Sequence, residues 1–159
     1  MIVVCVSLAG CATPIVQSTS KMMCIAQKRI VPPGSALVYV FGPDTGCMNE
    51  LQVELDGKPF GRICENVFLV GWVDPGVHTI VQPRGMEFRA VPATFEAKAG
   101  ETYFFEADYG WAISNYVKPL KEKEATKRLS KQKLSATNSF EILLPALEKQ
   151  HPDLLAACP

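Results

Sequence analysis

The chain has 159 residues, 48% of them hydrophobic, and a formal net charge of +0. That length carries one domain with a real core, and the charge balance excludes the strongly basic composition of a typical nucleic-acid binder. With 11 Gly and 12 Pro the sequence is richer in turn formers than a helical bundle, and 6 Cys imply either a metal or an oxidising compartment.

Residues 1–10, MIVVCVSLAG, form an uncharged apolar run. It is short of the roughly 20 residues that a spanning helix needs. It suits the apolar core of a secretion signal, although no Lys or Arg precedes it. The run closes on Leu8-Ala9-Gly10-Cys11, which resembles the bacterial lipobox: small side chains for the signal peptidase, then the cysteine whose thiol receives the lipid. Lipidation is expected at Cys11, with a buried first strand as the competing reading. Ala12 rather than an aspartate follows, which resembles outer-membrane sorting and places the protein in the cell envelope, facing the periplasm. Residues 11–34 then read as a lipidated tether, with Pro14, a Gln17-Ser18-Thr19-Ser20 cluster and Pro32-Pro33-Gly34. Met22 to Ile25 form an apolar patch within it that can dock on the domain.

Residues 35–117 read as the folded domain. Ala36 to Phe41 is a first strand rich in β-branched and aromatic residues, and Gly42 to Gly46 is a loop. The stretch from Leu51 to Gln82 organises the rest. Leu51, Val53 and Leu55 alternate with polar residues, Asp56-Gly57 supplies the positive backbone angles of a tight hairpin, and Phe60 to Ile63 returns. Val67 to Val73 is continuously apolar, Asp74-Pro75-Gly76 turns, and Val77 to Gln82 alternates again, so a three-strand antiparallel unit is predicted. Phe88 to Lys98 alternates around Pro92, which marks an edge or a bulge. Thr102 to Tyr109 is the most aromatic strand and is expected to be central, and Ile113 to Val117 is the last strand. The predicted fold is mainly β: a small antiparallel β-sandwich of about seven strands with a C-terminal helical extension.

Residues 118–159 change character. Between Lys118 and Lys133 seven cations face two carboxylates, net +5, among good helix formers. Phe140, Leu143, Leu144 and Leu147 then share one helical face, with Pro145 breaking the run. The tail folds back to close an open edge of the sandwich, or it docks a partner, or it rests on anionic lipid. The sandwich is expected to fold without it.

The order of Val53-Glu54-Leu55-Asp56-Gly57-Lys58, Gly61, Val73-Asp74-Pro75-Gly76-Val77-His78 and Ala99-Gly100-Glu101-Thr102-Tyr103-Phe104 resembles the bacterial lipoprotein domain known as domain of unknown function 2846, over about Ala36 to Tyr109. Members often carry an arginine after the first strand, where this chain has Gly42. The resemblance implies a transthyretin-like β-sandwich and carries over no catalytic residue.

The residues themselves give no catalytic constellation, no cofactor motif and no metal set. His78 and His151 lack ligands at metal spacing. Asp44, Asp56 and Asp74 sit beside Gly or Pro, as turn formers do. Trp72, Tyr103, Phe104, Phe105 and Trp111 fill the core or line an apolar pocket. With Cys5 in the signal and Cys11 lipidated, four cysteines remain and allow three pairings. Cys47 and Cys64 flank the first hairpin and are the expected disulfide, while the pairing of Cys24 and Cys158 stays open. The expected function is that of a non-enzymatic envelope lipoprotein, held to the membrane at Cys11 and binding a protein partner through loops at Asp44 and Asp74 or through the apolar tail stripe. A small apolar ligand carrier lined by the aromatic strand is the alternative, and neither reading involves nucleic acid.

Overall fold

The computed structural model describes residues 20–44, 50–83, 89–110, 114–135, 148–156 and 158. Cys11, Cys47, Trp111, Phe140, Leu143, Leu144 and Leu147 lie outside them. The first strand, β1 (Ala36–Phe41), holds six apolar residues in a row, and all six are buried. A strand without alternation has no wet face, so it belongs between two covering layers. It is the third strand of a six-stranded sheet. In space β1 lies between β4 (Val67–Val73), antiparallel, and β8 (Thr102–Gly110), parallel. The sheet continues from β8 to β9 (Ser114–Pro119) and then β6 (Arg89–Val91), and on the other side from β4 to the two-residue β10 (Lys133–Leu134). The aromatic strand β8 is therefore central, as its sequence predicts.

The alternating segments form a second, four-stranded sheet in the order β3 (Lys58–Ile63), β2 (Leu51–Leu55), β5 (Gly76–Val81), β7 (Ala93–Ala97). The β2–β3 hairpin turns at Asp56 and Gly57 with φ of 52° and 73°, the two positive angles expected there. The predicted three-strand unit is corrected in two respects: the stretch forms four strands, and one of them, β4, crosses to the six-stranded sheet while β5 returns beside β2. The reason lies in composition, because six of the seven β4 residues are buried and no half-wet sheet can accommodate them. Pro92, predicted to mark an edge or a bulge, stands where the chain leaves β6 in one sheet and enters β7 in the other.

Two apolar cores result. Between the sheets, Val38, Val40, Leu69 and Phe105 meet Val53, Phe60, Ile63 and Ile80. On the outer face of the six-stranded sheet, Leu37, Tyr39, Phe41, Phe68, Val70, Trp72 and Phe104 are covered by two helices and the chain end. Helix α1 (Ser20–Lys28) contributes Met22, Ile25 and Ala26, and helix α2 (Glu122–Leu129) contributes Ala125 and Leu129. Leu134 and Cys158 complete the cover. The fold is thus a β-sandwich with a helical layer on one face.

This alters one expectation and agrees with another. Nine residues of the segment read as a tether form helix α1, docked on the sheet by the apolar patch Met22 to Ile25. The tail folds back and closes an edge of the sandwich, the first of its three readings: β10 pairs in parallel with β4, and Cys158 is bonded to Cys24 of α1 with a Cα–Cα distance of 5.6 Å. Strand periodicity could not report this, because a fully apolar strand says that it is covered on both faces but not by what.

Candidate functional site

Helix α1 ends in a turn that depends on the sheet beneath it. Arg29 takes a positive φ of 52°, Ile30 N–H donates to the Ile25 carbonyl at 3.1 Å, and Arg29 N–H donates to Ala26. This closes the last helical turn, a place usually given to glycine. Arg29 is held there by its side chain, which bonds Glu122 at 2.5 Å and Thr126 at 2.6 Å and lies 4.9 Å from the centre of the Phe104 ring. Two core aromatics also reach α1 and its exit: Tyr39 donates its hydroxyl to the Ala26 carbonyl, and Trp72 Nε1 donates to Ile30 at 2.9 Å. Burial pushes the Tyr39 hydroxyl well above its ordinary pKa.

Two polar clusters are built on this frame. The first sits where the β2–β3 turn meets the start of β5. His78 Nδ1 is 2.6 Å from Asp56 Oδ2, and His78 Nε2 is 2.7 Å from the Asp74 carbonyl. The second Asp56 oxygen accepts the Thr79 N–H at 2.8 Å. Burial pushes His78 down and Asp56 up, but their mutual hydrogen bond and the backbone partners outweigh it. The histidine stands above its usual pKa and the carboxyl below its own. Because the Asp74 carbonyl only accepts, Nε2 must carry a proton; facing a carboxylate, Nδ1 carries one too. The doubly protonated ring is the form that satisfies both contacts.

An open recess of about 370 Å³ beside this pair is lined by Ser35, Lys58, Trp72 and Asp74 among others. Serine, histidine and aspartate thus share one recess, which superficially matches a hydrolytic triad. The geometry does not: the nitrogen that would receive a serine proton already donates to the Asp74 backbone. This arrangement fixes the hairpin turn against β5.

The second cluster centres on Arg128 of α2, which is 7% exposed. Its guanidinium donates to the Gly42 carbonyl at 3.2 Å, to Glu106 at 2.8 Å and to Glu124 at 3.1 Å, and lies 2.9 Å from Asp44. Lys118 Nζ reaches the other Glu106 oxygen at 2.9 Å. Burial raises the Glu106 pKa, but the hydrogen bonds from Lys118 and Arg128 prevail and hold it below the usual carboxylate range. A recess of about 260 Å³ adjoins this cluster, lined by Asp44, Asn66, Glu124, Lys127, Lys131 and Gln132 besides Arg128. Gln132 Oε1 and Arg128 Nε are buried without hydrogen-bond partners.

The structure places Asp44 and Asp74 in different recesses, so the two loops do not form one surface patch. Cys64 is disulfide-bonded; its predicted partner Cys47 lies outside the described residues, as do Cys11 and the stripe Phe140, Leu143, Leu144, Leu147. The aromatic strand lines neither recess: Phe104 faces the helical layer, Phe105 the inter-sheet core, and Tyr103 packs on Phe95. Among the described residues no three His, Cys, Asp or Glu side chains group as metal ligands, and no helix is long and apolar enough to cross a membrane.

Sequence reasoning missed the Arg128–Glu106 pair. The available signal was Glu106 itself, a carboxylate inside the central aromatic strand on the face opposite Phe105 and Ala107. A charge in that position needs a partner from whatever covers the strand.

The family described as Protein of unknown function (DUF2846) matches residues 32–119, from the end of the α1 exit to the end of β9. The chain belongs to this family. Comparison with curated proteins and with solved structures gives no match. The matched region contains nine of the ten described strands but none of the described helices, so the helical cover lies outside the part the family defines. An arginine after β1 has no room here: a Cβ on Gly42 would stand 2.0 Å from the Cys64 carbonyl oxygen. The cation beside the Gly42 carbonyl is Arg128, in the region beyond the family match.

Proposed function

We propose that this protein is a lipid-anchored, non-enzymatic module of the bacterial cell envelope, which acts by binding or by structural support. The observation that carries the reading is Leu8-Ala9-Gly10-Cys11, placed after an apolar run and only eight residues before helix α1. The Cys24–Cys158 disulfide supports it, because such bonds persist in oxidising compartments and are rare in the cytosol. The non-enzymatic part is supported by the two clusters, whose ionisable groups are spent on one another and on backbone atoms. The expected Cys47–Cys64 bond belongs to the same reading, and oxidised Cys64 is consistent with it.

The test is a Cys11→Ser variant expressed with the gene's own upstream sequence. The wild type should carry acyl mass at Cys11 and fractionate with membranes. The variant should remain an unprocessed precursor without that mass. Equal masses, apart from the substitution, and equal fractionation would remove the anchor.

A further inference from the structure

The net charge of +0 conceals a segregation. On the helical layer and the segment leaving it, Lys121, Lys123, Lys127 and Lys131 are all exposed, and none makes an ion pair with a described residue. The two carboxylates of α2 do not offset them: Glu122 is taken by Arg29 and Glu124 by Arg128. The opposite side of the molecule has the reverse sign. There the four-stranded sheet and its turns carry Glu50, Glu54, Asp56, Asp74 and Glu96 against Lys58, Arg62, Lys98 and the protonated His78.

We propose that the face formed by α2 and the approach to β10 is a docking surface for an anionic phospholipid bilayer, and that the domain sits with its helical layer toward the membrane. Two observations commit the occupant. One is charge: four uncompensated lysines on the helical side match a surface of lipid phosphates, which attracts cations within about a Debye length, ~8 Å. The other is reach: eight residues separate Cys11 from Ser20, a span of about 30 Å at full extension and about 16 Å on average for a flexible chain. The chain enters the domain through α1, in the layer that also holds α2, and Arg29 ties the two helices together. The acidic sheet lies beyond the six-stranded sheet, roughly 10 Å further out for each layer, and faces away from lipid. The orientation rests on the reading of Cys11 as an anchor; the charge preference of the face does not.

The experiment compares sedimentation with vesicles of phosphatidylcholine alone and with vesicles that also contain phosphatidylglycerol, using the full chain. The Cys11→Ser chain should favour the anionic vesicles, and added salt should erase the preference. Substituting Lys121, Lys123, Lys127 and Lys131 by glutamine should reduce the anionic-to-neutral ratio by on the order of fivefold per lysine. Substituting Lys58, Arg62 and Lys98 by glutamine should leave the ratio unchanged. All of these are surface positions, and an unchanged melting curve for each variant confirms that folding is intact. A ratio indifferent to the four lysines, or reduced equally by the control set, overturns the proposal. The lipidated chain on neutral vesicles reads the anchor separately: release there with a lysine-dependent ratio intact removes the anchor and the orientation but leaves the basic face. Retention there with no lysine dependence does the opposite.

Discussion

The two sheets solve the same problem in different ways. Strands β2 and β7 of the four-stranded sheet alternate buried and exposed residues, one face on the core and one in water. Strands β1 and β4 of the six-stranded sheet are buried almost throughout, because helices, β10 and the disulfide-bound chain end close their second face. A half-wet sheet needs only its partner sheet. A sheet apolar on both faces depends on segments far away in sequence, here the first helix and the tail. The lesson is that the family-defining strands do not by themselves close this molecule.

Removing residues 134–159 breaks the comparison at its strongest point. Loss of the Cys24–Cys158 bond costs about 2–5 kcal/mol, and loss of the buried Leu134 side chain costs another ~2–5 kcal/mol. Together these rival the whole stability of an ordinary domain, about 5–15 kcal/mol. The truncated chain should lose its cooperative melt, read by circular dichroism. An unchanged melting midpoint would mean that the outer face needs no cover.

Arg128→Met tests the polar link between the layers. It leaves Glu106, 6% exposed, with Lys118 as its remaining cation. Breaking a buried pair from one side costs about 3–5 kcal/mol; Lys118 should hold the loss toward the lower end. The double variant Arg128→Met, Glu106→Met should recover much of it in urea titrations. A single variant as stable as wild type would show that Glu106 is not buried beneath α2.

The smallest effect is expected in the four-stranded sheet, at the His78–Asp56 pair. His78 has a raised pKa when folded, so its contribution is complete below the ordinary histidine value and fades as pH rises through the raised one. Asp56 has a lowered pKa, so its contribution is complete above the ordinary carboxylate value and fades as pH falls through the lowered one. The stability difference between wild type and His78→Asn should therefore peak near about pH 5 and stay under ~1 kcal/mol, since Asp56 is largely solvated. A difference that grows steadily toward alkaline pH would contradict the charged pair.

Much of this fold was legible because strand signals are local. Asp56-Gly57 turns where the pattern puts it, and the run Val67 to Val73 is a strand as its composition says, because each acts through its own backbone or burial; the sheet that run joins, and the switch of sheets at Pro92, are set by distant partners. What the sequence hid was pairing at a distance. Nothing near Cys24 points to Cys158, 134 residues away. Nothing near Glu106 in β8 points to Arg128 in α2. His78 looked like an ordinary strand residue because its partners, Asp56 and the Asp74 carbonyl, lie across a turn and across strands.

The most direct test of the covered sheet is amide hydrogen exchange on the intact, oxidised chain. Amides of β1 from Leu37 to Phe41 should be among the slowest and should exchange only through global unfolding, while those of the edge strand β7 exchange faster through local opening. In Cys158→Ser the β1 amides should lose protection by a larger factor than those of β7. Protection in β1 no greater than in β7, or equal loss in both strands, would contradict a central sheet sealed by the two ends of the chain.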